Sequence, residues 1–267
     1  MCSLMLITFM TARTLIYTAQ PSFVKIIDLN IKPEKVSKPI DPYFNSLSFA
    51  EESLPLGDSK IKSKMNKSLH AHSHTKLQTS RLHQQASKWF PIIEPILARY
   101  GIPEDFKYMP LVESGLMSGT SPKGASGFWQ FMPQTARDFG LRVDSVIDDR
   151  KNMQKSTVAA AKYIKSLYRQ FDSWTLAAAA YNIGEGSLKR QINRQNQDNY
   201  FKMKLNRETA SYVYKLISMK EIIENPTRYG YKSKISRLLA KTSPVPKPNF
   251  PYEVSAAKPF HNIPKSL

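Results

Sequence analysis

The stretch SKWFPIIEPILARYG at residues 87–101 begins the part of the chain that follows a helical repeat. Its apolar residues recur at steps of three and four, which places them on one helical face: Trp89, Phe90, Ile92, Ile93, Ile96, Leu97 and Tyr100. Gly101 predicts the end of this helix, and Pro103 predicts the first turn of the next. Later segments predict further helices at 133–139, 156–171, 174–181 and 207–224. Since no segment alternates convincingly as a strand would, the sequence predicts an all-α (mainly α) domain.

The chain is strongly basic along its whole length. It has 267 residues and a formal net charge of +18, divided as +5 over 1–86, +6 over 87–226 and +7 over 227–267. Such a balance favours an anionic polymer or an anionic membrane surface as partner. No nucleic-acid-binding motif occurs and the basic residues form no single helical patch, so we do not expect nucleic acid as the partner.

The segments on either side of the helical part differ from it in composition. Residues 1–19 are mostly apolar and predict a signal peptide or a membrane anchor, although Arg13 interrupts the run and no basic residue precedes it. Residues 20–84 mix Lys, Ser, Pro and His without a sustained period and predict a flexible linker or arm. Residues 227–267 are basic and proline-rich, which favours an extended tail. The predicted globular domain is therefore 85–226, with flexible basic N- and C-terminal arms.

Cysteine and histidine are the residues that would suggest a disulfide or a metal site. Cys2 is the single cysteine, so no intrachain disulfide is expected. His70, His72 and His74 alternate, with His83 further on, and this spacing raises the question of a metal site. Because no cysteine stands near them, we interpret these histidines as part of a solvated linker and expect no metal and no cofactor.

One carboxylate has neighbours of the kind that acid catalysis requires. Glu113 ends a short apolar run, and Ser114-Gly115 predicts the end of its helix. Eight residues on, the segment 121–133 is rich in Ser, Gly and aromatic residues. Apolar surroundings keep a carboxylic acid protonated near neutral pH, while rings and amides hold a sugar. A helix-terminal Glu on the surface beside an ordinary loop would have the same sequence, and the residues alone leave that alternative open.

Three motifs in this order resemble the signature of the bacterial lytic transglycosylases. They are Glu113-Ser114, the segment 121–133 (SPKGASGFWQFMP) and the segment 180–186 (AYNIGEG). Further stretches at 107–114, 155–164 and 207–213 resemble the membrane-bound lytic murein transglycosylase D type, and the resemblance covers roughly 85–230. It implies a lysozyme-like helical fold. Together the ordered motifs favour a functional Glu113 over the surface alternative.

The resemblance also implies an activity. The family cleaves the bond between N-acetylmuramic acid and N-acetylglucosamine in peptidoglycan and leaves a 1,6-anhydro ring. Glu113 is then expected to protonate the leaving oxygen and afterwards, as a carboxylate, to take the proton of the attacking C6 hydroxyl. No second carboxylate is needed to activate water.

Five further residues are expected at the site by their match to the family's motifs. Ser114 is expected to orient Glu113, Gln130 to bind an N-acetyl or hydroxyl group, and Tyr181 and Asn182 to donate to the substrate. Tyr212 is expected to line the groove. A structural role remains open for each of them. Ser114 would bind backbone, Gln130 would lie on the surface, and the Tyr181 hydroxyl would already have a hydrogen-bond partner within the protein. Asn182 would cap its helix and Tyr212 would lie in the core.

The resemblance predicts an exported protein, periplasmic or membrane-associated, that acts on peptidoglycan glycan strands. Two alternatives stay open. One is a hydrolase on the same fold, with water positioned by Asp144, Asp148, Asp149 or Glu185. The other is a peptidoglycan-binding scaffold. No motif specifies an oligomeric state.

Overall fold

A computed structural model describes residues 46–77 and 80–232, and this part of the chain is mostly helical, as predicted. It contains a two-stranded antiparallel sheet, β1 (Ser48–Phe49) and β2 (Glu52–Ser53), in which Ser48 pairs with Ser53. Nine α-helices lie within the described ranges: α1 Ser59–His72, α2 His74–Leu77, α3 Arg81–Arg99, α4 Met109–Ser114, α5 Pro133–Asp138, α6 Met153–Phe171, α7 Trp174–Ile183, α8 Glu185–Gln195 and α9 Thr209–Glu224. Short 3₁₀ helices stand at Glu104–Tyr108, Asp149–Lys151, Tyr200–Lys202 and Pro226–Tyr229.

Helix α7 lies at the centre of the core. Its residues from Thr175 to Ala180 are all buried, four of them alanines with no exposed surface. Since alanine lets backbones approach closely, α7 packs against both α6 and α9. The helix predicted over 174–181 is therefore confirmed, and it extends two residues beyond Tyr181.

The prediction of a flexible arm over 20–84 is wrong for residues 46–77 and 80–84. Helix α1 buries Ile61, Met65 and Leu69, which recur every four residues and face α9. Ser68 Oγ donates to the Tyr214 carbonyl oxygen at 3.1 Å. The many lysines between the three apolar residues lowered the average hydropathy and concealed this face. Residues 1–19 and 20–45 lie outside the described part of the chain.

The β1–β2 hairpin is attached to the start of α7 by one side chain. The Glu52 carboxylate accepts hydrogen bonds from the Thr175 backbone N–H at 3.1 Å, from Thr175 Oγ1 at 2.7 Å and from Ser173 Oγ at 3.0 Å. It also accepts a short bond from the Trp174 backbone N–H. A negative charge at a helix N-terminus satisfies unpaired backbone donors and suits the helix dipole, so Glu52 stabilises both elements.

The folded region also extends past the predicted tail boundary at residue 227. Tyr231 is 2% exposed, and its ring contacts those of His74 and His83 at centroid distances of 5.1 and 4.5 Å. Its hydroxyl donates to the His72 carbonyl oxygen at 3.0 Å. The tail prediction is therefore wrong for 227–232, because a single aromatic residue anchors a basic, polar stretch. The rest of that segment lies outside the described residues.

The histidines do not belong to a solvated linker. His83 is buried and its Nε2 hydrogen-bonds the Ile222 carbonyl oxygen at 2.8 Å. His72 Nδ1 hydrogen-bonds the Ser68 carbonyl oxygen, and burial lowers the pKa of His72. Within 46–77 and 80–232 no group of three or more His, Cys, Asp or Glu residues is placed to hold a metal ion. In the same ranges no helix has the length and apolarity required to cross a bilayer.

Replacing Glu52 by Gln should destabilise the fold through loss of the charged acceptor at the α7 N-terminus. We expect the free energy of unfolding to fall by about 1–3 kcal/mol, since hydrogen bonds to a charged group are the strong ones. Urea denaturation followed by circular dichroism measures this change. The neighbouring Glu51→Gln is the matched control, because Glu51 is exposed and should change stability by no more than about 0.5 kcal/mol. Equal effects of the two substitutions would contradict the role of Glu52.

Candidate active site

Glu113 lies at the C-terminal end of α4, where the chain turns sharply. Gly115 adopts a left-handed conformation (φ 62°), and its N–H donates to the Leu111 carbonyl oxygen at 3.0 Å. The Leu116 N–H donates to the Pro110 carbonyl oxygen at 3.0 Å, which closes the helix end. The predicted stop at Gly115 is thus confirmed, and it leaves the partly buried Glu113 side chain facing α9.

The carboxyl group of Glu113 accepts a short hydrogen bond from the hydroxyl of Tyr212, which lies on α9. Burial raises the pKa of Glu113 to about 7, which is the direction expected from its sequence neighbours. The Tyr212 bond opposes this rise because it favours the charged form, and the negative charge of Glu208 adds to it. Tyr212 itself is 2% exposed, so it is both a core residue and a contact of Glu113.

Tyr181, on α7, is the second tyrosine close to Glu113. Burial raises the pKa of Tyr181 well above its ordinary value, and the negative charge of Glu113 adds to this rise. The Tyr181 hydroxyl donates to the Trp129 carbonyl oxygen at 2.8 Å. Its ring lies 5.9 Å from that of Phe131 and 5.2 Å from that of Tyr163. Tyr181 therefore fixes the loop of residues 121–133, at Trp129, beside the Glu113 carboxylate.

Gln130 lies in the same loop in a left-handed conformation (φ 51°). Its Nε2 donates to the Gly119 carbonyl oxygen at 3.0 Å and to the Gly127 carbonyl oxygen at 2.8 Å. Both amide hydrogens are thus used to close the loop. The amide oxygen is the part of this side chain that remains for a ligand donor.

Ser114 contacts the loop and not the carboxylate. Its hydroxyl lies within donating distance of two carbonyl oxygens, that of Phe128 at 2.8 Å and that of Pro110 at 3.1 Å. It also accepts from the Met117 N–H at 3.2 Å. The expected orienting hydrogen bond to Glu113 is therefore replaced by backbone contacts, and Ser114 joins the end of α4 to the loop.

Asn182 and Glu208 form a second polar group at the site. The Asn182 Nδ2 donates to Glu208 Oε1 at 3.3 Å, and Asn182 Oδ1 accepts from Thr209 Oγ1 at 2.8 Å. The helix C-cap is Gly184, so the alternative of a capping Asn182 is not what the structure has. Sequence reasoning assigned no role to Glu208. Its place in the family-like segment 207–213 was the available signal.

Arg150 is a further residue that sequence reasoning missed. Its guanidinium is buried and donates to the carbonyl oxygens of Gly124 at 2.9 Å and Phe131 at 3.0 Å, at either end of the loop. An ion pair with Asp148 at 2.8 Å offsets its charge. The Arg150 backbone also lies so close to Gly127 that a Cβ there would approach its carbonyl oxygen to 1.8 Å.

The aromatic residues of the loop are core residues rather than an open sugar platform. Trp129 has no exposed surface, and its Nε1 donates to Thr157 Oγ1 at 3.0 Å. Phe128 and Phe131 are 6% and 3% exposed. All three rings therefore stabilise the loop from inside the core.

The carboxylates considered for a hydrolase have local partners. Asp148 pairs with Arg150, and Asp149 pairs with Lys155 at 2.8 Å. Asp144 accepts from the N–H groups of its own turn, which together with Arg142 lower its pKa to about 2. Glu185 is exposed in the first turn of α8. The carboxylate that influences Glu113 most is Glu208.

Comparison with known proteins identifies the domain that holds this site. Residues 91–204 match the family model described as "Transglycosylase SLT domain". The chain is also 35% identical over 156 residues to "Membrane-bound lytic murein transglycosylase D" of Escherichia coli, a match that covers 54% of this chain and 34% of that protein. Residues 91–204 are therefore similar to a transglycosylase SLT domain. The predicted resemblance to lytic transglycosylases is confirmed.

Other similarities are shorter or more distant. A match of 47% identity over 70 residues joins 26% of this chain to 5% of "Peptidoglycan transglycosylase gp16" of Escherichia phage T7. The crystal structure of the 70 kDa soluble lytic transglycosylase of Escherichia coli aligns with a TM-score of 0.42 at 19% identity, over 67% of this chain and 34% of that chain. The chain spans about a third of the length of the first of these curated relatives.

The segment that matches the SLT domain model does not contain every group around Glu113. Glu113, Ser114, Gln130, Tyr181 and Asn182 lie inside it, and α9, which supplies Tyr212 and Glu208 at its start, follows it in sequence. The site is thus completed by residues outside the domain match.

Replacing Tyr212 by Phe should raise the pKa of Glu113 further. The hydroxyl donates to the carboxylate and so favours its charged form, and its removal leaves burial unopposed by this bond. Titration of the Glu113 carboxyl carbon by NMR in glutamate-labelled protein measures the change. Tyr214→Phe is the matched control on the same helix, since the Tyr214 hydroxyl is buried without a hydrogen-bond partner. An unchanged pKa of Glu113 in Tyr212→Phe would refute this account.

Replacing Gly127 by Ala should disrupt the loop that carries Gln130. A Cβ at this position collides with the Arg150 backbone, whereas one at Gly124 meets open space. Both glycines have positive φ (81° and 86°), so the strain of a left-handed alanine is shared by the two variants. We expect Gly127→Ala to be at least about 2 kcal/mol less stable than Gly124→Ala in urea denaturation. Equal stability would show that the close packing at Gly127 costs nothing to relieve.

Proposed function

We propose that this protein is a lytic transglycosylase that acts on peptidoglycan with a helical, lysozyme-like domain. It cuts the β-1,4 bond between N-acetylmuramic acid and N-acetylglucosamine and leaves 1,6-anhydromuramic acid ends. The observation that carries the proposal is a partly buried Glu113 with a pKa raised to about 7, hydrogen-bonded to Tyr212, beside an SLT domain loop.

Glu113 acts first as a general acid. A carboxyl group with a pKa near 7 is about half protonated at neutral pH, and a proton donor matched to the working pH is the most effective one. The proton moves from Glu113 to the glycosidic oxygen as the bond from that oxygen to C1 breaks. The leaving sugar departs with a new hydroxyl, and Glu113 is left as a carboxylate.

Glu113 then acts as a general base. Its carboxylate takes the proton of the muramic acid C6 hydroxyl, and the C6 oxygen forms a bond to C1. The proton returned to Glu113 restores the starting form, and no water is consumed. Between the two steps the Tyr212 hydroxyl stabilises the carboxylate by donating to it.

The other site residues fall into two groups in this proposal. Gln130 binds the sugar through its amide oxygen, which accepts from an N–H or O–H of the substrate. Ser114 and Tyr181 hold the loop at Phe128 and Trp129 in place, so they act through position. Asn182 lines the groove with its amide tied to Glu208. The scheme uses no metal and no cofactor.

The charge of the chain suits an envelope polymer. Peptidoglycan carries carboxylates on its peptides, and a net charge of +18 favours association with it and with anionic lipid surfaces. We therefore place the protein outside the cytoplasm, in the periplasm or at the membrane. The curated relative named as membrane-bound supports this assignment.

A hydrolase is the second candidate, because Glu208 is a carboxylate near Glu113 that its sequence position did not reveal. Its negative charge contributes to the raised pKa of Glu113, and its Oε1 accepts from Asn182. If Glu208 positioned a water molecule, the product would carry a reducing end instead of an anhydro ring.

Mass analysis of fragments released from purified peptidoglycan tests the reaction. We expect wild-type protein to release fragments lighter by one water than those of a muramidase. Glu113→Gln should lower the rate by about 10²–10⁴-fold, the usual contribution of a general acid-base group.

Two matched variants complete this experiment. Glu185→Gln, an exposed acid-to-amide change in the same domain, should leave the rate unchanged. Glu208→Gln should retain the anhydro product if Glu208 does not activate water. Full-mass reducing ends lost with Glu208→Gln would establish the hydrolase, and tight glycan binding without cleavage would establish a scaffold.

A further inference from the structure

Tyr200 is a buried tyrosine to which the proposed reaction assigns no role. It begins the 3₁₀ helix Tyr200–Lys202 and is 3% exposed. Its ring packs edge-on against that of Phe201 at 5.1 Å and lies 6.4 Å from that of Tyr214. A phenylalanine would fill the same space in the core, so the hydroxyl group is the feature that distinguishes Tyr200.

The Tyr200 hydroxyl takes part in the backbone hydrogen bonding of α9. It donates to the Thr209 carbonyl oxygen at 2.6 Å and accepts from the Val213 N–H at 3.2 Å. In a regular α-helix a carbonyl oxygen accepts from the N–H four residues later, so these two backbone groups are the natural partners of each other. Burial raises the pKa of Tyr200, and the N–H groups of Val213 and Tyr212 oppose that rise. One buried hydroxyl therefore bridges the first turn of α9.

The bridged turn, Thr209 to Val213, contains the residue that binds Glu113. Tyr212 comes immediately before Val213, so the peptide bond that the bridging hydroxyl holds is the one that follows Tyr212. The Tyr212 hydroxyl in turn donates the short hydrogen bond to Glu113. Because a hydrogen bond weakens steeply as its geometry departs from the optimum, the strength of this contact depends on how the turn is held.

The charged groups that act on Glu113 lie outside this turn. Besides burial, the charge of Glu208 raises the pKa of Glu113 and that of Lys215 lowers it. Glu208 stands before the turn and Lys215 after it. Tyr181 belongs to α7, and its hydroxyl donates to the loop rather than to α9. Tyr212 is therefore the contact through which the bridging hydroxyl reaches the carboxyl group.

We propose that Tyr200 is a positioning residue whose hydroxyl holds the first turn of α9, so that the Tyr212 hydroxyl stays on Glu113. The inference rests on the proposed function for the importance of that hydrogen bond to catalysis. Tyr200 lies within the segment that matches the SLT domain model, and Tyr212 follows that segment. The hydroxyl of Tyr200 thus joins the matched segment to the helix that completes the site.

Titration of the Glu113 carboxyl carbon by NMR tests this coupling without substrate. Tyr200→Phe keeps the ring and removes the hydroxyl, so the turn relaxes and the Tyr212 contact loosens. We expect the pKa of Glu113 to rise, as in Tyr212→Phe, because the donated hydrogen bond favours the charged form. Tyr214→Phe is the matched control: it removes a buried hydroxyl that has no partner, from a ring beside that of Tyr200, and should leave the pKa of Glu113 unchanged.

The double variant Tyr200→Phe/Tyr212→Phe decides whether the effect passes through Tyr212. If it does, the pKa of Glu113 in the double variant equals that in Tyr212→Phe alone, since the turn no longer has a hydroxyl to position. Additive effects of the two substitutions would overturn the proposal, as would an unchanged pKa of Glu113 in Tyr200→Phe.

Kinetics separates positioning from binding of the sugar. Tyr200 is buried, so KM should stay near the wild-type value. The plateau of kcat should fall about three- to tenfold, the effect of one weakened hydrogen bond to the carboxylate formed in the acid step. Because that step needs protonated Glu113, the alkaline limb of the pH–rate profile should move to higher pH together with the pKa of Glu113. A raised KM with unchanged kcat would overturn the proposal.

Phe201→Leu keeps the test open if Tyr200→Phe does not fold, as judged by circular dichroism. It leaves the Tyr200 hydroxyl in place and removes the ring packed against it at 5.1 Å. We expect a smaller rise in the pKa of Glu113, which disappears in a Tyr212→Phe background. An unchanged pKa of Glu113 in Phe201→Leu, where Tyr200→Phe does not fold, would overturn the proposal.

The two readouts distinguish failure of this inference from failure of the proposed function. If wild-type protein releases no anhydro fragments while the NMR coupling holds, the proposed function is refuted and the positioning role stands. If the protein cleaves glycan and the pKa of Glu113 does not respond to Tyr200→Phe, the inference alone is refuted.

Discussion

The hydrogen bond between Tyr212 and Glu113 is the contact on which the arrangement of the site depends. It joins the end of α4 to α9, two elements separated by most of the domain in sequence, and it does so at a carboxyl group with a raised pKa. Burying a carboxyl group costs much free energy when it is charged and little when it is neutral, so its surroundings determine its pKa. Burial and the Glu208 charge raise the pKa of Glu113, whereas Tyr212 lowers it. The resulting balance near neutrality requires α4, α9 and the loop at Trp129 to hold fixed positions.

The helices of this arrangement were predictable because their apolar residues recur regularly along the sequence. Apolar residues at steps of three and four identify α3 and α6, and a continuous apolar run identifies α7. Gly101 and Gly115 end their helices with positive φ, which glycine adopts most readily. Glu113 was identifiable by a motif and by its apolar neighbours. These features are local in sequence, and local features are those that a single sequence displays.

The parts that could not be predicted are formed by contacts between distant residues. Glu52 is an ordinary acid in sequence, and its role exists only because the start of α7 lies against it. Arg150 reads as one member of an Asp-Arg salt bridge, yet its guanidinium spans the loop from Gly124 to Phe131. Helix α1 has only three buried residues among its lysines, and α9 provides the surface they cover. The motifs recognisable in the sequence therefore contain the candidate catalytic residue, whereas the folded region extends beyond them towards both ends of the chain.

The attachment of Glu52 to α7 has a consequence for the way the chain folds. The Glu52 carboxylate and the groups that donate to it are 121 to 123 residues apart, and the hydrogen-bonded Ser68 and Ser218 are 150 residues apart. Such contacts close large loops before they gain any stabilising energy, which slows folding. During synthesis the hairpin and α1 leave the ribosome long before α7 and α9 exist, so their apolar faces have no partner. The segment that completes the core is therefore among the first to be made and among the last to be buried.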